Sequence, residues 1–395
     1  MDHAATTYMD PVVKKAMDAF FIENFGNPSA VYEEGRIAKK ALSDARLSVA
    51  HSLGAQPDEI IFTGGGTQGD NLAVLGCARH ASKMLRAGAV PHIITSKIEH
   101  HAVLHAFEEL ENEGFDVDYI NVDKEGIIDL EQFKEKLRPE TILVSVMLAN
   151  NEIGTIQPVA EIAKIIRNFS KKLQATSYKL QASFLHTDAV QAPSYMDLNV
   201  LKLGVDLMTL NGSKIYGPKG VGALYIKRGT KLQSLFYGGR QERGISPGTE
   251  NVPGTIGFAK ALELVQKNRE KESARLLKLR DYFIEGIMKN ISDTVLNGSP
   301  DKRLPNNVNV SFLGVEGESV ILYLDAKGVA CSTGSACSSD NLQVSHVVRA
   351  LKRPYEYAHG SVRFTLGKRT KKEDIDYVLK VLPDIIKKLR IMSAI

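Results

Sequence analysis

The stretches Phe184-Leu185-His186-Thr187-Asp188-Ala189-Val190-Gln191 and Val205-Asp206-Leu207-Met208-Thr209-Leu210-Asn211-Gly212-Ser213-Lys214 decide how this chain is read. In each, an apolar run suited to a buried strand gives way to polar residues. The first run ends on a carboxylate, Asp188, and the second leads into an amine, Lys214. In open α/β sheets the carboxyl ends of the strands form the edge where ligands bind. A carboxylate at one strand end and a lysine at the next can face each other across such a pocket. The same pair also fits a plain ion pair at a sheet edge, so the rest of the chain has to decide between the two.

Outward from these segments, strand-like runs alternate with helical patterns. Ile60–Thr63 is followed by Gly64-Gly65-Gly66 and an apolar-periodic segment from Asn71 to about Leu85. His92–Thr95 is followed by a helix through Val103–Leu110, and Val117–Val122 by a helix near Leu130–Leu137. Thr141–Leu148 is continuously apolar enough for a strand buried on both faces, Ile162–Phe169 is helical, and Val221–Ile226 closes the series. This rhythm predicts a mostly parallel sheet covered by helices. The pattern changes after about Pro253. A long amphipathic helix over roughly Ile256–Asn290 leads to shorter strands at Asn307–Phe312 and Ser361–Leu366, which reads as a smaller α+β domain. The expected division is a large domain over 1–255 and a small one over 256–395, with the first dozen or so residues packing on the small domain. Residues 170–183 are polar and read as a surface excursion.

A chain of 395 residues is too long for one simple core, and its composition is that of an ordinary soluble globular protein. The net charge of +4 is small and its basic residues are spread out, which argues against direct nucleic-acid binding. Three cysteines, Cys77, Cys331 and Cys337, fit a reducing compartment rather than a disulfide scaffold. There is no apolar run long enough to span a membrane and no secretory signal, so the cytoplasm is the expected location.

Several further segments carry chemistry. Thr63-Gly64-Gly65-Gly66-Thr67-Gln68 sits between a strand and a helix. It is either a tight turn or a cup for an anion, with close backbone approach, a helix N-terminus and the Thr67 hydroxyl. Its spacing matches neither common nucleotide motif. Glu99-His100-His101 follows a strand, where His100 can stack on a planar ligand and move protons. A structural histidine pair, or a metal site at His101 and His105, are the rivals; no third ligand of obvious spacing appears, and no metal is expected. Asn150-Asn151 ends the long buried strand, either as a turn or as a donor to a ligand oxygen. Cys331-Ser332-Thr333-Gly334-Ser335-Ala336-Cys337 reads as a mobile loop carrying exposed cysteines, whose thiolate form is reactive. Arg363, between Val362 and Phe364, is either solvated or aimed at a carboxylate. A lysine for a Schiff base and a carboxylate for a ring nitrogen are the minimum kit for pyridoxal phosphate, and that ligand also brings a phosphate.

Together these segments resemble the cysteine desulfurase family, the NifS/IscS-like, group I type of class V, fold-type I pyridoxal-phosphate enzymes. The resemblance also draws on Asp2-His3-Ala4-Ala5-Thr6-Thr7, Phe25-Gly26-Asn27-Pro28-Ser29, Gln241-Glu242-Arg243-Gly244 and Ser246-Pro247-Gly248-Thr249, and it spans essentially the whole chain in order. It implies a large domain with a mostly parallel seven-stranded sheet and a smaller α+β C-terminal domain. It implies that Lys214 carries the cofactor as a Schiff base and Asp188 pairs with the ring nitrogen. Gln191 and Asn151 would lie near the phenolic oxygen, and His100 would stack on the ring and shuttle protons. Gly66, Thr67, Asn211 and Ser213 would hold the phosphate, with Thr249 reaching the phosphate of a second subunit in a homodimer. Arg363 and Asn27 would hold the substrate carboxylate, and Cys337 would be the nucleophile.

The activity so implied converts L-cysteine to L-alanine, with sulfur passed to Cys337 as a persulfide. The persulfide would then go to an iron–sulfur scaffold protein or a tRNA-thiolation acceptor. A selenocysteine lyase, another fold-type I lyase or aminotransferase, and a non-catalytic sulfur relay are the alternatives. The chain departs from the family pattern in having Asn211-Gly212-Ser213-Lys214 where Ser-x-His-Lys is usual, and Gly-Gly-Thr-Gln where Gly-Ala-Thr-Glu is common.

Overall fold

The computed structural model describes residues 1–85, 87–174, 183–334 and 344–393. Seven strands form one sheet: β1 (Ile60–Thr63), β2 (His92–Ser96), β3 (Asp116–Ile120), β4 (Thr141–Ser145), β5 (Phe184–Asp188), β6 (Leu207–Asn211) and β7 (Gly222–Ile226). Their order is β1-β7-β6-β5-β4-β2-β3. Neighbours from β3 through β6 run parallel, whereas β7 runs antiparallel to both β6 and β1. The sheet is thus mostly parallel, with one reversed strand that hydropathy could not distinguish.

Both faces are buried, and the alternation along each strand assigns its side chains. Ile60, Phe62, Ile94, Val144, Met208, Ala223 and Tyr225 face one core with Leu42, Val49, Phe258 and Leu262. Ile61, Ile93, Leu143, Leu207, Leu224 and Ile226 face the other with Leu72, Cys77, Val103 and Phe107. Two covered faces explain why the strands read as unbroken apolar runs. Backbone pairing of β4 with the β5 segment continues past Ser145 to Leu148, whose N–H donates to the Asp188 carbonyl at 2.8 Å.

A second, antiparallel sheet has the order β10-β9-β8, with β8 (Thr294–Leu296), β9 (Asn307–Phe312) and β10 (Ser361–Thr365). Its core joins Val308, Val310, Phe312, Val362 and Phe364 to Ile375, Val378, Leu382 and Ile386 of the helix Lys372–Ser393. The helix Val252–Asn290 serves both cores. Phe258, Leu262 and Val265 enter the first, while Leu276, Phe283 and Ile287 enter the second. It starts four residues earlier than its periodicity suggests. Asn251 accepts from the Gly254 N–H at 3.0 Å, and Pro253 lies in the first turn, where a missing N–H costs nothing.

Three further differences from expectation have local causes. The helix Val159–Gln174 runs into the polar stretch expected to be an excursion, and residues 175–182 lie outside the described residues. The segment after the glycine turn starts earlier, as helix Gly66–Asn71, a π-helical turn Leu72–Gly76 and helix Cys77–Ser82. Cys331 is buried, 8% exposed, in the core of the small sheet rather than exposed on a loop. Burial pushes its thiol up to about 12, so it is not a reactive thiolate. Among the described residues no helix is long and apolar enough to cross a membrane.

Candidate active site

The sheet edge formed by the ends of β1, β2, β4, β5 and β6 opens into a cavity of about 170 Å³. Gly66, Thr67, His100, Asn151, Asp188, Gln191, Asn211, Lys214 and Arg363 line it, together with Ala4, Ala5, Asp70 and Met147. An adjoining cavity shares Gly66, Thr67 and Asn211 and adds Ser213, Gly64 and Gly65. Asn27 and Thr249 are exposed and line neither cavity. Cys337 lies outside the described residues.

Asp188 closes β5, and its Oδ1 accepts from the Val190 N–H at 2.8 Å. Burial pushes its carboxyl up to about 6, with Lys214 pulling the other way. A buried carboxyl in that condition is stabilised as an anion by any cationic group entering the cavity. Lys214 ends the 3₁₀ turn Gly212–Lys214 that follows β6, and its Nζ donates to the Ala5 carbonyl. The N-terminal segment runs alongside this turn. Thr7 donates to the Ser213 carbonyl through its N–H at 2.8 Å and its hydroxyl at 2.9 Å.

His100 caps the helix His101–Asn112, its Nδ1 accepting from the Ala102 N–H at 3.1 Å. Accepting there requires Nδ1 to be unprotonated, so the neutral ring carries its hydrogen on Nε2. Burial lowers the ring to about 4, helped by His101 and Lys214, and it is neutral near pH 7. His101 packs against His105 and His346 with ring centroids 5.1 and 4.8 Å apart. Among the described residues no cluster of His, Cys, Asp or Glu is arranged to hold a metal ion.

The Asn-Asn pair divides its duties. Asn150 is a turn residue: its Oδ1 accepts from the N–H groups of Glu152 and Ile153, each at 2.9 Å. Asn151 reaches the cavity. Arg363, on β10, is 1% exposed and therefore not a solvated arginine. Its Nη1 donates to the Asn151 carbonyl and its Nη2 to Asp2 Oδ1, both at 2.9 Å, while Nε has no partner. On the opposite side, Gly65 has φ of 133°, a region that favours glycine, and leads into the helix at Gly66. Asn211 and Ser213 stand across from that turn.

The sequence reading missed Asp70 and Asp2. Asp70 is buried, its Oδ1 has no hydrogen-bond partner, and it lies 3.6 Å from His186 Nε2. Burial, with Asp188 nearby, holds its carboxyl well above the usual range. Its position one helical turn after Gly66 was the available signal.

Comparison with known proteins agrees with this geometry. Residues 1–378 match the aminotransferase class-V family. The cysteine desulfurase IscS of Dictyoglomus turgidum is 50% identical over 393 residues, covering 100% of this chain and 95% of that protein. This chain belongs to the cysteine desulfurases of the aminotransferase class-V family. A solved structure described as a NifS-like protein is 34% identical with a TM-score of 0.89, covering 98% of this chain and 99% of that one. Another, SspA in complex with cysteine, is 33% identical with a TM-score of 0.77, covering 92% and 97%. Cysteine desulfurases depend in general on pyridoxal phosphate, act on cysteine and deliver sulfur to acceptor proteins.

Proposed function

We propose that this desulfurase holds pyridoxal phosphate in the cavity, converts L-cysteine to L-alanine and leaves the sulfur on Cys337 as a persulfide. The observation that carries this reading is the convergence of Asp188, the amine of Lys214, the neutral imidazole of His100 and the guanidinium of Arg363 on a single cavity. The donor set suits that cofactor. Asp188 matches a protonated ring nitrogen, Gln191 and Asn151 a phenolic oxygen, and Gly66, Thr67, Asn211 and Ser213 a phosphate. When bound, the cofactor supplies an electron sink that weakens the bond between the substrate Cα and its hydrogen.

The side chains divide the remaining work. Arg363 orients the substrate by its carboxylate. Lys214 Nζ takes the Cα proton and returns a proton to the carbon skeleton. His100, neutral and with Nδ1 held by the Ala102 N–H, donates a hydrogen bond from Nε2–H into the cavity. The Cys337 thiolate attacks the substrate sulfur; an S–S bond forms, the substrate C–S bond breaks, and a proton completes the methyl group of alanine. The sum is L-cysteine plus the Cys337 thiol giving L-alanine plus the Cys337 persulfide.

The acceptor is an iron–sulfur scaffold protein or a tRNA-thiolation protein, and the setting is the cytoplasm. A homodimer is supported by a run of exposed apolar side chains, Phe21, Ile22, Phe25, Val31 and Tyr32. Pro28 and Ser29 of that region line one groove with Arg240, Gln241 and Glu250, the residue after the exposed Thr249. In such a homodimer Thr249, which lines neither cavity of its own chain, would serve the partner's cavity. The test is to incubate purified protein with L-cysteine and measure alanine. Lys214→Ala should abolish alanine and the cofactor's absorbance near ~420 nm. Cys337→Ala should keep that absorbance and lose persulfide, and undiminished desulfuration in it would refute the reading.

A further inference from the structure

Glu152 follows Asn151 in the chain, does not line the cavity, and is 1% exposed. Described residues on either side of segment 335–343, Gly334 and Ser345, meet its carboxyl group. Gly334, the last described residue before that segment, packs so closely that a Cβ built on it would lie 3.1 Å from Glu152 Oε2 and 3.5 Å from Ser345 Cβ. Beyond the segment, Ser345 Oγ donates to the same Oε2 at 2.5 Å. That oxygen of Ser345 also accepts from the N–H groups of Val347 and Val348 at 3.1 and 3.3 Å, capping the helix His346–Ala350.

Glu152 is itself held firmly. Its N–H donates to Asn150 Oδ1, and its carbonyl accepts from Asn307 Nδ2 at 2.9 Å and Asn309 Nδ2 at 3.1 Å, both on β9. The preceding carbonyl, of Asn151, is the one Arg363 grips. One carboxyl group therefore closes the stem of the segment and stands one peptide away from the groups that line the cavity.

We propose that Glu152 is a positioning residue for sulfur transfer: by closing that stem it fixes the point from which Cys337 reaches the cavity. The inference rests on the reading of Cys337 as the sulfur acceptor. Cys337 is the third residue after Gly334, and three extended residues span at most roughly 11 Å. Fixing Gly334 therefore bounds where the thiol can be. Releasing it widens that volume and lowers the fraction of time the thiol spends at the substrate sulfur.

The test uses the holoenzyme with Glu152→Ala, Glu152→Gln and Ser345→Ala. Alanine release gives kcat and KM, mass spectrometry gives the Cys337 persulfide, and the absorbance change on adding L-cysteine reports the steps before sulfur transfer. Loss of one hydrogen bond to the carboxyl should lower kcat and persulfide formation in Glu152→Ala by about tenfold, with KM within about twofold and the absorbance response intact. Glu152→Gln, which keeps an oxygen for Ser345, should restore most of the rate. Ser345→Ala should reproduce the same split, and still decides the matter if Glu152→Ala does not fold. A normal kcat in Glu152→Ala or Ser345→Ala, or a rise in KM at unchanged kcat, overturns the inference. Cys337→Ala run in parallel separates the two levels. If it still desulfurates, the reading of Cys337 falls; if it is inactive while Glu152→Ala transfers sulfur normally, only the role of Glu152 falls.

Discussion

Replacing Arg363 by lysine should raise KM for L-cysteine far more than it lowers kcat. The guanidinium is buried and already spends one donor on the Asn151 carbonyl and one on Asp2. Five N–H donors leave three, including the unpartnered Nε, for a substrate carboxylate. An ammonium has three donors and no fixed fork, so it cannot serve both protein partners and still grip a carboxylate at two points. The loss is at least one charge-assisted hydrogen bond, about 1.5–3 kcal/mol, or roughly a 10- to 150-fold rise in KM. The assay is alanine release against L-cysteine concentration, with cofactor absorbance as the check that the cavity remains intact. Sulfide release from cysteamine, which lacks the carboxylate, gives the control. Wild type and Arg363→Lys should handle cysteamine alike. A KM for L-cysteine within about twofold of wild type, or equal losses on both substrates, would show that Arg363 does not bind the carboxylate.

Glu99 offers a prediction about pH. Both its oxygens accept from the Met147 N–H at 3.0 Å and one accepts from Ser96 Oγ, yet burial pushes the carboxyl up from 4.5 to about 8. The folded chain keeps a proton that the unfolded chain releases above pH 4.5, so this residue's contribution to stability is lost as pH rises from about 4.5 to 8. Glu99→Gln should therefore gain on wild type by roughly 3 kcal/mol between pH 6 and pH 9 in denaturant unfolding, and a pH-independent difference would contradict the assignment. At Ser213, a histidine would add a donor beside Thr67 and Asn211, while the backbone contacts from Thr7 remain. Ser213→His should slow cofactor loss on dialysis about tenfold, and an unchanged rate would show that the phosphate is already fully held.

What the sequence disclosed and what it withheld follow the range of the interactions concerned. Asp188, Lys214, His100 and Asn151 were legible because each is a polar residue where a buried strand or its continuation stops, and strand ends on one edge must share a cavity. Arg363 was undecided because its partners, the Asn151 carbonyl and Asp2, are 212 and 361 residues away in the chain. Asp70 was hidden at the end of the glycine turn, a stretch read for a cup that holds an anion, just before the apolar-periodic segment from Asn71. The reversal of β7 leaves no trace in an apolar run, since both directions bury both faces alike. β8 is three residues long and too short to carry an alternation. Cys331 was misread because small polar neighbours suggest a loop, although its own side chain turns into the small core.

The division of the cavity between the two sheets has a chemical consequence. Asp188, His100 and Lys214 come from the large sheet and its turns, whereas Arg363 comes from the small one. Beside the cavity the seam is bridged by the Asn151 carbonyl, which accepts from Arg363, and by Asp2, which binds Arg363 with Oδ1 and Ser332 with Oδ2 at 2.7 Å. Ser332 in turn exchanges backbone hydrogen bonds with Arg363, three residues before the segment that bears Cys337 begins. Arg363, proposed to grip the substrate carboxylate, and Ser332 on the stem of that segment therefore belong to one hydrogen-bonded unit. A shift of Arg363 would move Ser332 with it, so on the proposed roles of Arg363 and Cys337 substrate orientation and sulfur removal would be set together.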